Sequence, residues 1–497
     1  MAGSATEFFE DKHSSPNHEY LRYQDIGMRT SRMSETDWQE VDISGQVSTN
    51  CILRNPLGAA AMNCISEAPM AIATAKSGAA AFLHHANTPE EQKLMARDVY
   101  HHLAGIITSP LDAQADQTLG DVLTDLENRE KDFRTLPVRD ENRRCIGLLD
   151  ETIFSLFDAQ TKVSEAMHPW GTFAVDDIGL TPNQAFARMK QERAEKLVLL
   201  DASRRIGGLC LLPDIKRVVD CNPDEYSLHT EGDLAGRLIA FASVPTIEEE
   251  AIERIRLLKK YVRVFGIDTS HGEHIHAVRT LKAIKEEFSD IDIIAGNIST
   301  EETAREIAKL EPDGMQVGQG PGGICSSSDR LGFGTPQASA VYEVCKGARE
   351  IIPDMPIIAD GGISEPADTI KAFAIGATAV KVGSLFAGTE ETPVAVERDE
   401  NGGQYRMYWG MGSKRAQEAF AAARARYGHY GTKRKLIFIE GFEKRMPLKG
   451  SVTDVIEEHV MGVKLSMAAQ GFANRSEERR VGKECTSWCR SRWSPHH

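Results

Sequence analysis

Beyond residue 260 the chain alternates between short apolar runs and stretches of helical spacing. YVRVFGIDTS is an apolar run that ends in polar residues, and HIHAVRTLKAIKEEF then places apolar residues at helical intervals. IDIIAGNIS is apolar again. TEETAREIAKL predicts a helix opened by Thr300, with Thr303 where an acid usually closes the capping box. DGMQVGQG, PIIADGGIS and AVKVGS repeat the strand pattern, with TPQASAVYEVCKGAREII and EPADTIKAFAIGA between them. Strands that are apolar on both faces and separated by helices predict parallel βα units. Their number, and their polar, Gly-rich ends, predict an α/β fold closed into a TIM (β/α)8 barrel. In such a barrel the chemistry sits at the C-terminal strand ends.

A different pattern fills residues 108–221. LPVRDENRRCIGLL and LVLLDASRRIGGLC align at an offset of 61, matching Asp140 with Asp201, Arg143 and Arg144 with Arg204 and Arg205, and Gly147 with Gly208. Each copy reads strand, polar turn, strand, and is preceded by an amphipathic helix (TLGDVLTDLE; TPNQAFARMKQ). Two such units, about 108–160 and 164–221, can bury their apolar faces against each other. The expected organisation is therefore a split barrel, 1–107 and 222–474, interrupted by this paired module. From Arg475 onward (RSEERRVGKECTSWCRSRWSPHH) no apolar period runs, and two of the five Trp fall here. The segment resembles translated cloning-vector sequence and is set aside from the fold.

A chain of 497 residues that is 41% hydrophobic can bury a large barrel and a smaller module. No run of about 18 apolar residues predicts a membrane span, and the polar, acidic N-terminus lacks the order of a secretory signal. A cytoplasmic setting is expected. The formal net charge of −15 argues against a specific nucleic-acid partner while leaving room for a local basic pocket. The nine cysteines are scattered, without zinc-ligand spacing or a disulfide framework. Most are expected to be inert core residues in a reducing compartment. Cys325 is the exception to weigh, because its loop, VGQGPGGICSSSD, is rich in glycine and its exposed amides would favour the nucleophilic thiolate.

The strand ends carry the chemistry. Asp268 lies in DTSHG, Asn297 in AGN, Asp360 with Gly361 and Gly362 in ADGGIS, and Gly383 with Ser384 in KVGSLFAG; YWGMGS follows at 408–413. The blocks DTSHG, AGN, GxGPGxIC, GxPQxSAV, DGGI, GSLFAG, GMGS and MPLKG, in this order, resemble the IMP dehydrogenase / GMP reductase family over nearly the whole chain to about residue 474. The paired repeats resemble a CBS-pair (Bateman) module, which in relatives often takes an adenine or guanine nucleotide, although a purely structural insert is equally consistent.

The resemblance implies specific roles. Cys325 would add to purine C2, and hydride would leave C2 for a nicotinamide, NAD in the dehydrogenases. Met62, Asp360, Gly362, Gly383, Ser384, Tyr408, Gly410, Met411 and Gly412 would bind the nucleotide IMP, with Asp360 on the ribose and the glycines near the phosphate. Asp268, Thr269, Ser270, Asn297, Gly318 and Gly320 would seat the cofactor. Carbonyls of Gly320, Gly322 and Cys325 would hold potassium, joined by a neighbour's C-terminal segment; if the 475–497 tail is foreign, that site would be weakened. Assembly as a homotetramer, or an octamer through the module pairs, follows from the resemblance alone.

Direction is a separate question. The segment between GMGS and Glu440–Gly441, a flap at about 414–439, has dehydrogenase-like length and contains Arg426 and Tyr427, where the family's water-activating pair would fall. Against this, the Cys loop reads CSSS, with Ser327 where Thr is usual; Gln316 stands where a basic residue is usual; Gly323 and Asn63 also depart; and GSKRAQ resembles CBS-containing GMP reductases. In a reductase, Ser327 and Glu440 would handle ammonia. A nucleotide-binding homologue without catalysis, and a flavin-dependent barrel enzyme, are further alternatives.

Overall fold

The description rests on a computed structural model, which describes residues 9, 20–28, 35–108, 110–129, 131, 133–324, 332, 334–419, 439, 441–474 and 488–490. Two compact units emerge, 1–99 with 223–497, and Tyr100–Asn222.

In the first unit, eight short strands pair in parallel and close on themselves: β1 Leu57–Ala59, β2 Ala80–Leu83, β3 Phe241–Val244, β4 Val264–Ile267, β5 Asp292–Ile298, β6 Gly314–Val317, β7 Ile357–Asp360 and β8 Ala379–Val382. Each is followed by a helix: α1 Ala68–Lys76, α2 Pro89–His101, α3 Glu248–Leu258, α4 Ile275–Glu287, α5 Glu301–Ala308, α6 Gln337–Ile351, α7 Pro366–Ile375 and α8 Val452–Ala469. The strands are almost wholly buried, as expected when helices cover one side of a sheet and the barrel interior the other. Thr300 opens α5, its hydroxyl accepting from the Thr303 amide at 3.4 Å. β1, β2 and β3 are the barrel strands that the apolar pattern above does not mark; they are three or four residues long and lie before the long strand–helix alternation.

The N-terminal end of the barrel is plugged. A hairpin of Gly45–Ser48 and Cys51–Leu53 inserts Val47, Cys51 and Leu53 into the cluster formed by Phe82, Phe241, Val264, Ile294 and Ile358. Asp292, at the start of β5, accepts from the Ser48 hydroxyl, the Asn50 amide at 2.9 Å and the Asn50 side chain at 2.7 Å, so the buried carboxylate is satisfied.

The second unit contains two four-stranded sheets, each built around a hairpin: Leu136–Arg139 with Cys145–Leu149, and Lys196–Leu200 with Ile206–Leu211. Both turns put an arginine in the left-handed region, Arg143 at φ 61° and Arg204 at φ 62°. In both an aspartate accepts from the amide four residues on, Asp140 from Arg144 and Asp201 from Arg205. The helices before them carry capping boxes, Thr118 with Asp121 and Thr181 with Gln184. Cys145, Leu148, Val198, Leu200 and Leu209 form one shared apolar cluster.

Within residues 475–497, Trp488–Arg490 pairs antiparallel with Ile26–Met28. Among the described residues, no helix is long and apolar enough to cross a membrane.

Candidate active site

The C-terminal strand ends open into a cleft. Its wall contains Met62 after β1, Asp268, Thr269 and Ser270 after β4, Asn297 in β5, Gly318, Gly320 and Gly322 after β6, Asp360 and Gly362 at the end of β7, and Gly383 and Ser384 after β8. Tyr408, Gly410, Met411 and Gly412 come from the antiparallel sheet Val396–Arg398, Gln404–Trp409 and Glu443–Pro447, which lies between β8 and α8 in sequence. An adjoining cavity of 490 Å³ is lined by Arg22, Gln24, Ser364, Ser384, Tyr408 and Lys444, among others. Thus residues spread over 350 positions of sequence meet in one place. Cys325, Ser327, Arg426, Tyr427 and Glu440 lie outside the described residues.

The frame that carries Cys325 is described up to its immediate predecessor. Ile324 lines the cleft, and its carbonyl accepts from the Phe442 amide at 2.9 Å. Phe442 in turn accepts from the Gly410 amide at 3.1 Å. The chain leading to the cysteine, the GMGS segment and the chain beyond the flap are therefore laced in a row. Gly441 is required at this crossing, since a Cβ there would sit 2.8 Å from the Ser413 nitrogen. On the facing strand end, Gly361 and Gly362 both take positive φ, at 85° and 74°, a pair of left-handed residues that turns the backbone sharply beside Pro321. Lys449, of the MPLKG block, donates to the carbonyls of Ser384 and Leu385 at 2.9 and 2.8 Å and so fixes the turn after β8; burial pulls its ammonium pKa down.

Two contacts made by cleft carboxylates were not legible as site chemistry in the sequence. His85 follows β2, and its Nε2 lies 3.3 Å from Oδ2 of Asp268, with both side chains 6% exposed. Asp268 is therefore held by a histidine 183 positions earlier in the chain while still lining the cleft. Arg254 of α3, 1% exposed, holds the loop after His85 by donating to the His85 and Asn87 carbonyls and to Gln92 Oε1 at 2.9 Å, with Glu250 Oε1 at 2.8 Å as counter-charge. The doublet FLHHAN was the only available signal. The second contact is made by Lys381 of β8, inside the barrel: its Nζ donates to Gln316 Oε1 at 2.9 Å and lies 3.8 Å from Asp360 Oδ2. Gln316, which the sequence marks as a departure, is thus the acceptor for a lysine two strands away.

Four of the described cysteines offer poor nucleophiles. Burial pushes the thiols of Cys51, Cys64 and Cys210 up to about 12, and that of Cys145 to about 11. Cys64 is the instructive case, since it lies two residues from Met62. Yet it is buried and donates to the Trp409 carbonyl at 3.3 Å, which commits it to structure. Its neighbour Asn63 accepts from the Trp409 indole at 3.0 Å. No cluster of three or more His, Cys, Asp or Glu suited to a metal occurs among the described residues.

A parallel barrel with carboxylate, amide and glycine strand ends around one polar cleft is the architecture of a barrel enzyme acting on a polar small molecule. Residues 20–484 match the family described as the IMP dehydrogenase / GMP reductase domain, and the chain belongs to that family. It is 33% identical over 466 residues to inosine-5'-monophosphate dehydrogenase of Aquifex aeolicus, covering 92% of this chain and 91% of that protein. With the enzyme of the same name from Bacillus subtilis it shares 30% over 471 residues, 94% and 92% of the two chains. Among solved structures, GMP reductase from Trypanosoma brucei in complex with guanosine 5'-monophosphate matches with a TM-score of 0.80 and 26% identity, over 98% of both chains.

Proposed function

We propose that the chain oxidises a purine nucleotide at C2, converting IMP to XMP with NAD, through a covalent bond to Cys325. The observation that carries the reading is the convergence of the Ile324 end of the cysteine loop, Asp360, the Gly362 and Gly383–Ser384 turns, and Gly410–Gly412 on one cleft. Glycine turns let backbone approach a phosphate closely, and Asp360 presents a carboxylate to ribose hydroxyls. Met411 and Gly412 would meet the purine edge.

In the proposed reaction the Cys325 thiolate adds to C2, making a C–S bond. The C2–H bond then breaks, and its electron pair leaves with the hydrogen. A bound nicotinamide supplies the hydride acceptor. Water attacks the resulting thioimidate, Arg426 with Tyr427 taking its proton, and the C–S bond breaks to release XMP and the thiol. Thr269, Ser270 and Gly318, with Asp268 held by His85, offer the polar wall that a dinucleotide's sugars and amide require, so the residues fit that group. Gly320 and Gly322, with Cys325, would offer the neutral carbonyl oxygens that suit potassium. The repeat unit is read as a CBS pair that takes an adenine or guanine nucleotide, and the assembly as a homotetramer or octamer.

A second reading, GMP reductase, is favoured by the Trypanosoma brucei structure matched over 98% of both chains and by the CSSS loop. Incubating the protein with IMP and NAD, and separately with GMP and NADPH, while following absorbance at 340 nm separates the two. Reaction only in the first mixture supports the dehydrogenase; reaction only in the second replaces it with the reductase. Silence in both, with nucleotide still bound, would leave a non-catalytic homologue.

A further inference from the structure

Four consecutive barrel strands each send one polar side chain into a ring beneath the cleft: Asn297 from β5, Gln316 from β6, Asp360 from β7 and Lys381 from β8. Lys381 is 3% exposed, against 21% for the Asp360 side chain. Its ammonium lies 4.6 Å from the Phe82 ring centroid, bonded to Gln316 Oε1 at 2.9 Å. Gln316 Nε2 donates to Asn297 Oδ1, and Asn297 Nδ2 donates to Asp360 Oδ2 at 2.9 Å and to the Gly318 carbonyl at 2.8 Å.

The direction of every bond follows from the lysine. An ammonium has donors only, so Gln316 must turn its oxygen to it and its NH2 toward Asn297. Asn297 must then face Gln316 with its oxygen and Asp360 with its NH2, the donor that an ionised carboxylate, itself only an acceptor, requires. Both ring contacts fall on Oδ2, so Oδ1 is the oxygen left to a ligand in the cleft.

We propose that Lys381 is a positioning residue that, through Gln316 and Asn297, holds Asp360 by Oδ2 and so presents Oδ1 to the ribose diol of the bound nucleotide. The proposal rests on the assignment of the cleft to a purine ribonucleotide. Lys381 lies at the floor of the cleft with only 3% of its side chain exposed, and its part is to fix the polarity of a relay whose last member meets the ligand. A buried cation sealed from water needs a counter-charge, and Asp360 provides it at a distance too long for a hydrogen bond, which leaves the carboxylate free to meet hydroxyls.

The test measures binding of IMP and GMP, and of their 2′,3′-dideoxy counterparts, by titration calorimetry. The wild-type chain is expected to prefer the ribose forms by about ten- to a hundredfold, the range of a hydrogen bond to a charged group. Lys381→Met is expected to bring that preference to within about threefold while leaving affinity for the dideoxy nucleotides unchanged. Gln316→Glu, close to isosteric, guards against a Lys381 variant that does not fold. A carboxylate there can only accept, so Asn297 must turn its NH2 away from Asp360, and the preference should fall equally. Folded variants, judged by circular dichroism, that retain the wild-type preference overturn the relay. A wild-type chain that binds IMP or GMP without a sugar preference also overturns it, yet leaves the nucleotide assignment standing. A chain that binds neither nucleotide overturns both.

Discussion

The two ends of the barrel each hold a carboxylate inside a hydrogen-bonded network, and they use it differently. At the N-terminal end, Asp292 is closed off by a hairpin, its oxygens occupied by Ser48 and Asn50. At the C-terminal end, Asp360 is engaged on one oxygen by Asn297 and Lys381 and remains open to the cleft. The same residue type serves stability where every acceptor site is filled by the protein, and ligand recognition where one is left over. What separates the two is the covering: a two-stranded plug at one end, and loops rich in glycine at the other.

The contrast can be broken or sharpened by experiment. Cys325→Ala should have the largest effect, on the order of 10⁵-fold or more in turnover in either direction, with binding of IMP or GMP retained. If instead it leaves the 340 nm signal intact, the open end is not the reacting end. Arg426→Ala should slow turnover by about 10²–10⁴-fold while sparing the first burst of hydride transfer, as expected for loss of a general base. An equal loss in the burst would remove that residue from the hydrolysis step. Asp292→Ala should cost roughly 3 kcal/mol of stability, read from denaturant unfolding, because it strands the donors of Ser48 and Asn50, and should leave KM unchanged. Asp360→Asn should instead raise KM by about ten- to a hundredfold, and because it also removes the counter-charge of the buried Lys381 some stability should be lost with it. A KM effect from the closed end would dissolve the distinction between the two.

The smallest expected effect lies on the helical shell, away from both ends. Burial pulls His459 of α8 down to about 4, against an ordinary value of 6.5, and its Nε2 pairs with the Thr369 hydroxyl at 2.8 Å. Between those two values the unfolded chain binds the proton more readily than the folded one. Stability from this site is therefore complete above pH 6.5 and is lost as pH falls toward 4, by on the order of 2–3 kcal/mol. His459→Gln should flatten that part of the stability–pH curve, leaving the 340 nm assay at neutral pH unaltered.

Much of the fold was legible. The strand–helix alternation after residue 260 and the polar strand ends marked five of the eight strands and most of the cleft, because a strand covered on both sides must be apolar except where it meets the site. β1, β2 and β3 were not marked, since LGA, AAFL and FASV are too short for periodicity to separate from loop and fall before the long alternation. His85 and Lys381 escaped for another reason. A lysine in AVKV reads as a polar position on some strand face, and a histidine doublet as loop chemistry. Nothing local indicates that the lysine faces inward, or that an aspartate 183 positions beyond His85 will be its partner.

By itself the order of residues determined which segments are strands and helices, where the glycines permit sharp turns, and which polar groups stand at the strand ends. Those are properties of neighbours along the chain, set by backbone sterics and the period of apolar side chains. Only closure of the barrel decided that Asn297, Gln316, Asp360 and Lys381 form one ring, and that Asp292 is sealed while Asp360 is not. Pairing between distant strands brings their inward-facing side chains within bonding distance, and exclusion of water there makes each donor seek a particular acceptor.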